Sequence, residues 1–172
     1  MPTFDHSGAR ALRWLVVSAI IIVLDQWTKA LATSALQLHQ SVDVLPHLQW
    51  TLAHNQGVAF SMLNDGADWQ RYGLSAFALI VVSGFCWAIT RLPRGDVATK
   101  LAFSLVIGGA LGNVIDRIRF GYVVDFIDVT LANDYHFPAF NIADSSICVG
   151  AAVLLFWGWK HERRAEPAMA KD

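Results

Sequence analysis

Four apolar stretches, each long enough to cross a lipid bilayer, constrain this chain more than any other feature. A hydrocarbon core about 30 Å thick takes ~20 mostly apolar helical residues. Residues 14–31, 72–90, 98–118 and 142–159 each meet that requirement. The 172 residues are 55% hydrophobic, which is high for a soluble domain of this size, and the formal net charge of −1 gives no support to a nucleic-acid partner. The fold class expected is an integral membrane all-α bundle, four transmembrane helices with a small β-sheet on the outer membrane face. Residues 1–163 form one transmembrane domain, and residues 164–172 read as a polar, disordered cytoplasmic tail. The first stretch also resembles a cleavable signal peptide, with Arg10 and Arg13 before an apolar run and small residues at Ala30-Leu31-Ala32. Asp25 and Lys29 interrupt that run and three further spans follow, so a retained helix fits better.

Lysine and arginine bias sets the orientation. Arg10 and Arg13 precede the first span, Arg91, Arg94 and Lys100 occupy the second connection, and Lys160, Arg163, Arg164 and Lys171 follow the last span. The first and third connections hold only Arg71 and Arg119, close to span ends. Both termini are therefore expected in the cytoplasm, with segments 32–71 and 119–141 facing outward. The outer segments have strand character. Val42, Val44, Leu48, Trp50 and Leu52 alternate around Pro46, Asn55-Gln56-Gly57 follows as a turn signal, and 123–129 is a second β-like run. Gly108 and Gly112 are spaced for close helix packing.

Against this background the acids and amides stand out. An acid at bilayer depth costs roughly 2.5–3.5 kcal/mol on insertion scales. Asp25, Asp116 and Asp144 nevertheless lie in or at the ends of three spans, toward one face, with Asn55, Asn113, Arg117, Asp125 and Asn141. Asp25 and Lys29 are spaced i,i+4 and can pair locally. Asp116 adjoins Arg117, a less well-aimed partner. Asp43, Asp65, Asp68 and Asp134 fall in polar loops. Asp125, in Val-Val-Asp-Phe-Ile, has no neighbouring cation. Asp144 falls in the first turn of the fourth span, where a helix N-terminus favours negative charge, and a plain capping role would also explain it. Asp128 is a weaker candidate on the same run as Asp125.

Two carboxylates brought together can share a proton, one acting as general base toward water and the other as general acid. Competing chemistries are poorly represented. There is no His-Glu-x-x-His zinc signature, and Gly73-Leu74-Ser75 lacks the flanks of a nucleophile elbow. Cys86 and Cys148 both lie inside spans and read as small core residues. No metal and no cofactor is expected. His54 and His136 read as surface residues or strand neighbours.

Five motifs stand in order. They are Asp25-Gln26-x-x-Lys29, Asn55-x-Gly57-x-Ala59-Phe60-Ser61, Gly108-Gly109-Ala110-Leu111-Gly112-Asn113-x-x-Asp116-Arg117, Val123-Val124-Asp125-Phe126 and Phe140-Asn141-x-Ala143-Asp144-Ser145. Each alone is weak. Together, between about residues 14 and 160, they resemble lipoprotein signal peptidase, the type II signal peptidase of bacteria. The resemblance implies an intramembrane aspartic endopeptidase of the bacterial inner membrane. Such an enzyme removes the signal peptide of a prolipoprotein, cutting before a diacylglyceryl-modified cysteine. It implies that Asp125 and Asp144 form the catalytic pair and that Asn55, Asn113, Arg117 and Asn141 line the substrate site. Asp25, Lys29, Gly57 and Asp116 would then support it. The expected partners are the lipidated precursor and membrane lipids, with the enzyme acting as a monomer. The alternatives are a small proton-coupled transporter, which normally keeps its acids at the bilayer midplane between repeats, and a non-catalytic assembly factor, which would not need the acids.

Overall fold

The computed structural model describes residues 8–57, 67–131 and 135–169. Ala59, Phe60, Ser61, Asp65 and Asp134 lie outside the described residues, as does residue 170 onward of the polar tail. After a 3-10 helix at Gly8–Trp14, the elements are α1 (Leu15–Ala35), β1 (Ser41–Leu45), β2 (Leu48–Asn55), α2 (Ala67–Arg91), α3 (Val97–Phe120), β3 (Val123–Val129) and α4 (Ile142–Met169). Among the described residues, four helical segments are long and apolar enough to cross a membrane, and three strands form one antiparallel sheet in the order β1-β2-β3. By connectivity the sheet lies where α1 and α3 end and where α2 and α4 begin.

The helices are patterned inside out relative to a soluble bundle. Along α1 the buried positions are Ser18, Asp25, Lys29 and Ala32, spaced to fall on one helical face. Val16, Ile20, Val23, Trp27 and Leu31 are exposed, as a helix surrounded by lipid requires. Helix α3 is central. More than half of its most apolar window is buried within the protein, against less than a quarter of each of the others. Its glycines allow the neighbours in. A Cβ at Gly108 would stand 2.9 Å from the Ser18 carbonyl oxygen of α1, and one at Gly109 would collide with the Ala143 carbonyl oxygen of α4. The packing expected from Gly108 and Gly112 is thus present, and Gly109 adds the second face.

Helix ends are closed locally. Asp96 caps α3 by accepting from the Thr99 N–H at 3.1 Å. Gly121, at φ 85°, terminates the helix in the left-handed conformation that glycine favours, and its N–H donates to the Arg117 carbonyl. The chain can therefore turn from α3 into β3 within two residues. α4 continues past residue 159 to Met169, through the stretch from 164 where a disordered tail was expected. Glu162, Arg163, Arg164 and Ala165 are good helix formers, which lets the helix run on beyond its apolar part. Of the cysteines, Cys86 packs against the core, but Cys148 is exposed. The expectation of a core role fails for Cys148 because its face of α4 points away from α3.

Candidate active site

The site is assembled where β3, the last turns of α3 and the first turn of α4 meet. Its foundation is a buried ionic cluster. The Lys29 ammonium lies 2.8 Å from both Asp25 and Asp116, and all three side chains are essentially inaccessible. The i,i+4 pair expected on α1 is present. Asp116, however, pairs with Lys29 and not with its neighbour Arg117, because successive helical residues point about 100° apart. Each carboxylate also holds backbone. Asp25 accepts from the Ala143 N–H of α4 at 2.9 Å, and Asp116 accepts from the Val124 N–H of β3 at 3.1 Å. Gln26 donates to Asp116 at 2.8 Å. Gln26 stands inside a recognised motif but drew no assignment from sequence; an amide in a membrane span was the available signal. One cluster thus ties α1, α3, α4 and the sheet together.

Above it lies a layer of amides. Asn113 accepts from Lys29 at 3.0 Å and from Asn141 at 3.2 Å, and donates to Asp144 at 2.7 Å. Asn141 and Asp144 form a reciprocal cap at the start of α4. The Asp144 N–H donates to Asn141 Oδ1 at 2.9 Å, and the Asn141 N–H donates to Asp144 Oδ2 at 3.3 Å. The capping role that the sequence left open for Asp144 is therefore real. With its oxygen committed to the cap, Asn141 turns its amide nitrogen to Asp125 Oδ1 at 2.7 Å. One asparagine thus touches both Asp125 and Asp144.

Asn55 reaches Asp125 from the sheet through a one-residue irregularity. Trp50 pairs with Ile127, but Ala53 pairs with Asp125 and Asn55 with Val123. The extra residue on β2 moves Asn55 onto the face that carries Asp125 and moves His54 off it, since a one-residue slip exchanges the two faces of a strand. His54 then stacks on Tyr122 with ring centroids 3.8 Å apart, and Asn55 hydrogen-bonds Asp125. The Gly57 N–H donates to Asn55 Oδ1 at 2.8 Å, leaving the Asn55 amide nitrogen for the carboxyl. Gly57 sits at φ 94°, and a Cβ there would also lie 2.9 Å from Leu74 Cδ1. Arg117 is half-buried at this site, donates weakly to the Asn113 carbonyl at 3.5 Å, and acts electrostatically on Asp144, Asp125 and Asp116.

Asp128 is not part of this group. Three residues along the strand from Asp125, it projects from the opposite face, where it pairs with His136 at 2.9 Å. Asp125 itself is 2% exposed. Burial raises its pKa from 3.8 to about 7, helped by the nearby Asp144 and opposed by the hydrogen bonds from Asn55 and Asn141. A buried carboxyl that holds its proton near neutrality, beside a second, half-buried aspartate side chain, can donate and accept protons without a metal.

The chain as a whole is similar to known proteins. A family model described as signal peptidase (SPase) II matches residues 17–160. A lipoprotein signal peptidase of Acinetobacter baumannii is 52% identical over 144 residues, covering 84% of this chain and 81% of the relative. One from Pseudomonas aeruginosa PAO1 is 42% identical over 169 residues, covering 98% and 99% of the two chains. Among solved structures, a bacterial membrane enzyme determined by the in meso method at 1.9 Å resolution superposes with a TM-score of 0.75 at 30% identity, over 84% of this chain and 90% of that one.

Proposed function

The chain belongs to the signal peptidase II family, and from that premise we propose that it removes the signal peptide from diacylglyceryl-modified prolipoproteins, cutting before the lipidated cysteine. Asp125 and Asp144 are the catalytic pair. Sharing one proton, one activates a water toward the scissile carbonyl and the other protonates the leaving amide nitrogen. Asn141 carries this reading, because it holds both carboxyls in register with hydrogen bonds to each. Asn55, Asn113 and Arg117 supply donors for the substrate backbone and for the oxyanion that develops during attack.

Depth favours hydrolysis over proton-coupled transport. Asp144 is the third residue of α4, Asp125 lies on a strand outside the helices, and Asp116 is four residues from the end of α3. All sit at one end of the bundle, whereas a transporter would keep its acids at mid-bilayer. The sheet end faces outward and both termini face the cytoplasm, in accord with the basic residues at the opposite end. The enzyme acts in the inner membrane as a monomer, with lipid and the precursor as its partners.

The deciding experiment is incubation of purified protein with a lipidated precursor and with its unmodified form. A diacylglyceryl chain contributes ~0.8 kcal/mol per buried methylene to membrane anchoring. The lipidated precursor should therefore lose its signal peptide far faster. Equal rates would remove the reason for placing the site at the membrane surface, and no cleavage of either would end the proposal.

A further inference from the structure

The end of the bundle opposite the sheet holds a second concentration of charge. Arg10, Ala11, Arg13, Trp14, Arg94 and Lys100 line a cavity of about 160 Å³. That is room enough for one phosphate group. Topology accounts for cations at this end but not for their convergence on one concavity. Nor does it account for Lys100, which is only 2% exposed, since a buried cation is costly unless a charge or several acceptors answer it. Lys100 donates to the Pro93 and Arg94 carbonyls at 2.6 and 2.9 Å, which among the described residues leaves its third N–H for another acceptor. The acid acting on it is Asp96, already engaged as the cap of α3, and Arg13 acts on the same ammonium with the opposite sign.

We propose that this cavity binds the phosphate of an anionic phospholipid headgroup, held by Arg10, Arg13, Arg94 and Lys100. A phosphate oxygen supplies the missing acceptor, and net negative charge relieves the repulsion among the cations. The surroundings favour a lipid over a free anion. Leu12, Val16 and Val97, adjacent in sequence to the cationic residues, are 40%, 61% and 51% exposed and offer apolar surface to acyl chains. The half-buried Trp14 indole stands at the level where aromatic residues meet headgroups.

The test uses the full-length protein, delipidated in neutral detergent. Thermal unfolding and native mass spectrometry are followed on adding phosphatidylglycerol, phosphatidylcholine or inorganic phosphate. Phosphatidylglycerol should raise the unfolding midpoint and remain bound through the mass measurement, phosphatidylcholine should do neither, and inorganic phosphate should protect weakly at millimolar levels. Arg10→Gln/Arg13→Gln should weaken phosphatidylglycerol binding at least tenfold while cleavage of a lipidated precursor continues. Arg94→Gln, in the exposed connection between α2 and α3, should weaken it less and serves if the double variant does not fold. Equal responses to the two lipids, or unchanged binding in the variants, would overturn the proposal. Protection by inorganic phosphate without any by phosphatidylglycerol would make this a free-anion site and overturn the lipid assignment.

Discussion

Two pairs of aspartates lie a few ångströms apart in this protein and are treated in opposite ways. Asp25 and Asp116 share one ammonium, each at 2.8 Å, and each also receives a backbone N–H. Their charge is answered and their lone pairs are occupied. Asp125 and Asp144 receive amide hydrogen bonds instead, from Asn55, Asn141 and Asn113. An ammonium answers a carboxylate with opposite charge, while a neutral amide positions it without adding charge. Asn113 joins the two layers, accepting from Lys29 below and donating to Asp144 above. The two pairs thus differ less in where the acids are placed than in which donors face them.

If that contrast is correct, the amide-held pair should govern turnover and the ammonium-held pair should govern stability. Asp125→Asn and Asp144→Asn should each reduce cleavage by at least 10²–10⁴-fold, the usual span of a general acid–base step, with insertion and unfolding temperature little changed. The double variant should be scarcely worse than either single, since the two act as a unit. Near-normal turnover in either variant would erase the distinction between the pairs. Lys29→Met tests the other side. It strands two buried carboxylates, a loss that typically costs about 3–5 kcal/mol, so a large fall in unfolding temperature is expected. If Lys29→Met unfolds like the parent protein, the ionic cluster is not the foundation described above.

Arg117 sharpens the boundary between the layers. Arg117→Lys keeps the charge but loses the planar fork of donors. A single charged hydrogen bond is worth about 1.5–3 kcal/mol, so cleavage should drop roughly ten- to a hundredfold with stability retained. Full activity would reduce its role to that of a point charge. A further test concerns pH. The folded protein holds a proton on Asp125 between pH 3.8 and about 7 that the unfolded chain has released. The native state then binds more protons, so this residue lowers stability as pH rises through that window. Asp125→Asn should flatten the dependence of unfolding temperature on pH there. Asp144→Asn, by removing a neighbouring negative charge, should narrow the window from its upper end. An unchanged slope in both would show that Asp125 is ionised in the native state at low pH.

The features most visible in the sequence are those with a period or a local partner. Four apolar runs, the alternation in Val42, Val44, Leu48, Trp50 and Leu52, and the spacing of Asp25 and Lys29 all report structure within a few residues. What escaped is set by contacts between distant segments. The partner of Asp116 lies 87 positions earlier on another helix, so adjacency to Arg117 misled. The irregularity that turns Asn55 toward Asp125 depends on how β2 meets β3, and nothing within β2 announces it. Asp128 resembled Asp125 in composition and differed only in which face of the strand it occupied. For the motif residues of the site, the signal was their order along the chain and not their chemistry taken singly.

The i,i+4 spacing of Asp25 and Lys29 also bears on how the protein is made. The two can neutralise each other on a single emerging helix, so α1 enters the bilayer as a balanced couple and not as a bare acid. Their other partners are synthesised later, Asp116 with the third span and the Ala143 N–H with the fourth. Asp144 arrives in that last segment too. A nascent chain halted after three spans would hold the Asp25–Lys29 couple and only one of the two aspartates proposed as the catalytic pair. If Asp125 and Asp144 act as the proposed pair, a chain that lacks its final helix cannot cleave, and activity should appear only once that helix docks.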